Sequence, residues 1–152
     1  MLLTELLSED RIKVPLRSQT KDDLLQELVA LVTQGRDDAT HEAVLSAVRE
    51  RERELSTGIG GGIAIPHGKT PVCDQLVMAA GTCPAGVDFE ALDDQPVRLF
   101  FLLVGPESAA GAHIKTLARI SRLLRRDALR DALCQARTPG AFLDVVRASE
   151  AA

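Results

Sequence analysis

The sequence predicts an α/β fold, a single-domain sandwich with a mixed central β-sheet flanked by helices. Three observations carry that expectation. Apolar residues recur at spacings of three and four toward both ends of the chain, and short apolar runs bounded by turn-formers fill its middle third. One of those runs, Val97-Arg98-Leu99-Phe100-Phe101-Leu102-Leu103-Val104, is nearly continuous in apolar residues, as suits a central strand covered on both faces.

Residues 2–7 read as a short helix, and Arg11-Ile12-Lys13-Val14 as a strand closed by Pro15. A longer helix is expected between Ser18 and Gly35. Ser18 or Thr20 can cap it, Asp22 and Asp23 occupy its first turn, Leu24, Leu25, Leu28, Val29 and Val32 form its stripe, and Gly35 stops it. A second helix should run from Thr40 as cap through Val44 and Val48 toward Arg51. Strands follow at 63–65, 76–82 and 97–104. After Gly105-Pro106 the helical period returns, with Ile114, Leu117, Ala118, Ile120, Leu123 and Leu124 as its stripe; short helices are expected at 128–136 and, after Pro139, at 140–147. Glu150-Ala151-Ala152 should fray.

A chain of 152 residues suits one domain, 1–152, with its core at about 3–147; folding at that size buries roughly two-thirds of the unfolded surface. With 45% hydrophobic and 26% charged residues and no apolar run near the roughly 20 residues a spanning helix needs, membrane insertion is not expected. The N-terminus lacks the basic section of a secretory signal. Cys73, Cys83 and Cys134 show no paired spacing, which fits reduced thiols in the cytoplasm, and His41, His67 and His113 fall at no metal-ligand spacing to them. A net charge of −4 argues against a nucleic-acid partner, and the cluster Arg119, Arg122, Arg125, Arg126, Arg130 reads as a solvated helix face.

The glycine-rich stretch ending in Gly68-Lys69-Thr70 invites a nucleotide-binding reading that its spacing refuses. A P-loop has four residues between its glycines, whereas Gly62 and Gly68 enclose five; GxGxxG fails because Ile63 stands at the third glycine's place. No cofactor is implied. What the stretch does build is a mount. Ile65, preceding a proline, is pushed into extended geometry, Pro66 fixes its own φ, and Gly68 lets other atoms approach the His67 imidazole. With an unperturbed pKa of about 6.5, that ring has a nitrogen lone pair available without a separate base. From the residues alone, a nucleophile and a turn-closing histidine stay equally open.

Glu52, Ile59, Gly60, Ile63, Ala64, Ile65, Pro66, His67 and Gly68 resemble the signature of the fructose/mannitol-type IIA domains of the bacterial phosphoenolpyruvate-dependent phosphotransferase system. The string 56–69 is especially similar to the nitrogen-regulatory branch. The resemblance extends to residues 88–97 and to His113, and so covers essentially the whole chain. One departure is Gly61, where nitrogen-branch members usually carry asparagine.

The resemblance implies that His67 is phosphorylated through Nε2 by the phosphohistidine of HPr or its nitrogen-branch relative, itself charged by an enzyme I. It implies that Arg51 stabilises the phosphoryl group with its planar fork and that His113 donates a hydrogen bond to it, as a neutral ring whose pKa is lowered at the start of a 113–126 helix. Ser56 and Thr57 are candidate hydroxyl donors and Gly58, Gly60, Gly61 and Gly62 candidate N–H donors, with plain turn chemistry as the alternative for both. His41 lies outside the matched motifs. Two outputs follow: regulation of target proteins by phosphorylation state, favoured by the 56–69 string and the absence of an attached IIB or HPr domain, or transfer to a fructose/mannitol IIB domain. A non-catalytic binding module in which His67 is structural is the alternative of another class.

Overall fold

The structure, a computed structural model, describes residues 1–151. Its central strand is β6 (Val97–Gly105), and the strand's alternation decides the layers. Phe100, Leu102 and Val104 point to one face, where they meet Leu24, Leu28 and Val29 of α2 (Lys21–Val32) and Val44, Leu45 and Val48 of α3 (Asp38–Glu54). Leu99, Phe101 and Leu103 point to the other. There they pack with Leu3 and Leu6 of α1 (Leu3–Leu6), Ile120 of α4 (Ala110–Leu123), Leu133 of α5 (Asp127–Gln135) and Phe142 of α6 (Pro139–Ala151). Each such side chain contributes roughly 1.5–3 kcal/mol on burial, which is why this strand has almost no polar residue.

The six-stranded sheet has the order β1 (Ile12–Lys13), β5 (Val77–Val87), β6, β3 (Ile63–Ala64), β2 (Gly58–Gly60), and β4 (His67–Lys69) also pairs with β6. β5 runs antiparallel to β6, whereas β3 and β4 run parallel to it. The sheet is therefore mixed and covered by helices on both faces, as expected. β3 and β4 share one edge of β6, in register Ile63 with Leu99 and His67 with Leu103. Pro66 breaks the row between them because it has no N–H to donate, yet its carbonyl still accepts from the Leu103 N–H at 3.0 Å.

Three expectations need correction. β2 and β4 were not anticipated; each has three residues and is defined by its partner strand more than by its own pattern. The second helix is capped by Asp37, whose carboxylate accepts the Thr40 N–H at 2.9 Å, so Thr40 lies inside the helix. An acid there also meets the positive end of the dipole. The C-terminal residues do not fray as far as Ala151: α6 continues, and the Glu150 carboxylate accepts the Leu3 and Thr4 N–H groups at 2.7 and 3.0 Å and the Arg119 Nε at 2.8 Å. Ala152 lies outside the described residues.

Candidate functional site

In β4, side chains alternate, so His67 and Lys69 share one face and Gly68 takes the other. A Cβ on Gly68 would stand 3.0 Å from the backbone of Ala47 and Val48. Glycine thus lets α3 lie directly on β4 and brings the helix's C-terminal turn, with Arg51, beside the strand that carries His67. From the opposite layer, α4 starts soon after β6 ends, and its first turns hold His113. The two imidazoles meet edge to face, with centroids 5.4 Å apart and planes inclined by 64°.

The His67 ring is half-buried, and its Nδ1 lies 2.8 Å from the Ile65 carbonyl oxygen. That oxygen only accepts, so Nδ1 carries the hydrogen and Nε2 the lone pair. Burial pushes the pKa of His67 down, and the charges of Arg51 and Lys69 push it further, against the opposing effect of the Ile65 bond. The neutral, nucleophilic form is therefore favoured. His113 is only 2% exposed, and neither ring nitrogen has a hydrogen-bond partner among the described residues. Its pKa is pushed down to about 4, chiefly by burial and then by His67 and Lys69. The direction is the expected one, but the cause is not: α4 begins at Ala110, and desolvation outweighs any placement at the helix start.

Arg51 makes its charge felt at His67 while one Nη donates to the Leu55 carbonyl at 3.0 Å, completing the end of α3. The Ser56 hydroxyl donates to the Phe89 carbonyl at 3.2 Å and accepts the Gly58 N–H at 3.1 Å. The Thr57 hydroxyl donates to Glu52 at 2.7 Å. Both hydroxyl protons are thus engaged in turn chemistry. Gly60, Gly61 and Gly62, with φ of 97°, 66° and 79°, form the turn from β2 to β3. They sit at the Leu99 end of β6, about 13 Å along the strand from His67's partner Leu103, and the Gly61 N–H donates to Asp93 at 3.2 Å. This turn is remote from the histidines.

Other candidates fall away from the pair. His41 Nδ1 contacts the Thr33 hydroxyl at 3.1 Å. In the arginine cluster, Arg119 binds Glu150 and Arg130 binds Asp127 and the Leu124 carbonyl, while Arg122, Arg125 and Arg126 are exposed. A cleft of about 720 Å³ is lined by Lys21, Arg49, Glu52, Arg53 and Ser56 among others, and its lining does not include His67 or His113. Sequence reasoning missed Lys69 as part of the histidine site. Two residues after His67 in a strand, Lys69 had to share the histidine's face, but only once β4 was known to be a strand.

Residues 5–149 match the family model "Phosphoenolpyruvate-dependent sugar phosphotransferase system, EIIA 2". The chain is 39% identical over 127 residues to a nitrogen regulatory protein of Bradyrhizobium diazoefficiens, covering 82% of this chain and 81% of that one. It is 37% identical over 146 residues to the fructose-specific EIIABC component of Bacillus subtilis, covering 96% of this chain but 23% of that much longer one. Among solved structures, the nitrogen regulatory protein IIA-Ntr of Neisseria meningitidis is similar, with a TM-score of 0.87, 27% identity and coverage of 95% of this chain and 98% of that one.

Proposed function

The chain belongs to the EIIA 2 family of the phosphoenolpyruvate-dependent sugar phosphotransferase system, and on that premise we propose that it carries a phosphoryl group on His67 Nε2, accepted in the cytoplasm from HPr or its nitrogen-branch relative. The observation that carries this reading is the Nδ1–H bond to the Ile65 carbonyl, which leaves Nε2 as the nucleophilic nitrogen. As the donor's P–N bond breaks, its imidazole leaves with the electron pair and the Nε2 lone pair forms the new N–P bond. No proton has to move. The positive charge that appears on the His67 ring is met by the Ile65 carbonyl dipole.

A phosphoryl group in flight needs positioning and donors to its equatorial oxygens. His113, held neutral, keeps one ring N–H to give, and burial without a partner leaves that donor ready for an oxygen. Arg51 supplies charge, its remaining guanidinium nitrogens free to turn toward the site.

The test is incubation with labelled phosphoenolpyruvate, enzyme I and the carrier. Acid-labile, base-stable label is expected on the wild type and none on His67→Ala; label that persists in the variant overturns the assignment, and an unlabelled wild type would favour a binding module. For output, similarity to nitrogen regulatory proteins supports regulation of target proteins by phosphorylation state. The fructose-specific relative supports a second reading, transfer to a fructose/mannitol IIB domain. Efficient passage of label to such a IIB would replace regulation by transport.

A further inference from the structure

We propose that Glu52 is a positioning residue for phosphoryl transfer, acting through Thr57 on both His67 and Arg51. The proposal rests on the carrier role of His67 given above. Glu52 is 6% exposed and lies in the last turn of α3, where the negative end of the helix dipole disfavours an acid. Helix stability alone would select a neutral or basic residue there. A buried carboxylate in that place needs another reason, and its contacts supply one.

Both carboxylate oxygens accept the Thr57 N–H, at 2.9 and 2.8 Å, one of them also accepts the Thr57 hydroxyl at 2.7 Å, and Lys21 Nζ lies 4.0 Å away. The carboxylate thereby closes the short loop from the end of α3 to β2. Two connections lead from that clamp to the site. The Thr57 carbonyl accepts the Ile65 N–H at 3.0 Å, and the Ile65 carbonyl in turn accepts the His67 Nδ1–H at 2.8 Å. Inside the same loop, the Leu55 carbonyl accepts from Arg51 at 3.0 Å. One buried acid thus fixes the carbonyl that selects the His67 tautomer and the carbonyl that holds the arginine.

The experiment compares Glu52→Ala, Thr57→Val and Thr57→Ser with the wild type. It measures kcat and KM for phosphorylated HPr, or for the nitrogen-branch carrier where that is the donor, together with the ¹⁵N signals of the His67 ring. Misplacing the groups should lower kcat about 10- to 100-fold in Glu52→Ala, and losing one hydrogen bond about fivefold in Thr57→Val. KM should hold, Thr57→Ser should restore kcat, and in Glu52→Ala the His67 ring should gain the Nε2–H tautomer. Wild-type kcat and an unaltered tautomer in folded variants, or a change confined to KM, overturn the proposal. If Glu52→Ala fails to fold, the Thr57 pair decides. The tautomer measurement needs no donor, so it still tests the link to His67 if the wild type takes no label, the outcome that would instead end the carrier reading.

Discussion

The two ends of the β3–β4 edge are built on opposite principles. At the Gly60–Gly62 end the backbone takes left-handed geometry three times, and the local donor at Gly61 has a local acceptor in Asp93. At the His67 end the backbone is extended and stiffened by proline, while the side chains are left incomplete, with His113 buried and both its nitrogens unpartnered among the described residues. Unusual backbone marks the turn; unsatisfied side-chain chemistry marks the site. Buried polar atoms are almost always paired, so an orphan pair is the stronger pointer to a ligand.

The sharpest way to break that contrast is to remove one polar side chain at each end. His113→Ala should slow phosphoryl uptake by about 100- to 1000-fold, as losing an oxyanion donor does. Asp93→Ala, which frees the Gly61 N–H, should leave the uptake rate unchanged. Single-turnover labelling of the two variants checks both, and equal slowing would mean that the ends are not functionally separate.

Next in size is a pH effect confined to the histidine end. The folded state keeps His113 neutral down to about pH 4, whereas the unfolded chain takes up a proton near pH 6.5. Because the unfolded state binds more protons in that window, stability is full above about pH 6.5 and falls by about 3 kcal/mol as pH drops toward 4. His67, shifted in the same direction, adds to the loss. Away from the site, the Glu27 carboxylate of α2 accepts the Ser18 N–H and hydroxyl at 2.9 and 2.6 Å and pairs with Lys13 at 2.6 Å. These contacts hold its pKa at about 2, so it acts lower, between its ordinary value and that one. Denaturant midpoints measured across pH should show the upper step, and His113→Leu should flatten it; an unchanged step would place its origin elsewhere.

Much of this was legible in the residues. The continuous apolar run of β6 announced a strand buried on both faces. The Ile65-Pro66 stem announced a stiff mount for His67, although the histidine does not leave the sheet there but opens β4 and pairs with Leu103 of β6. What could not be read were contacts between distant parts of the chain. Nothing in local periodicity shows that Glu150 would reach α1, that Gly68 would touch α3, or that three-residue strands would form at 58 and 67. His113's burial was hidden for the same reason: it depends on how α4 docks, and the sequence supplied only the charge-based argument of a helix terminus. The Glu52 clamp was half visible, since the acid stood in the matched pattern without a stated task.

Two glycine substitutions give the smaller effects, and their difference isolates distance along β6. Gly68→Ala puts a Cβ 3.0 Å from the α3 backbone, which cannot yield as a side-chain tip would. It should cost about 1–3 kcal/mol in stability and slow phosphoryl uptake, because α3 and β4 carry Arg51 and His67. Gly61→Asn should do neither. Its φ of 66° is one that asparagine tolerates, and the nearest foreign atom is the Arg130 guanidinium carbon at 3.6 Å. A stability change within about 0.5 kcal/mol and an unchanged uptake rate are expected from thermal melts and labelling. A slower Gly61→Asn with unchanged stability would show that the turn reaches the phosphoryl group despite its place at the Leu99 end of the strand.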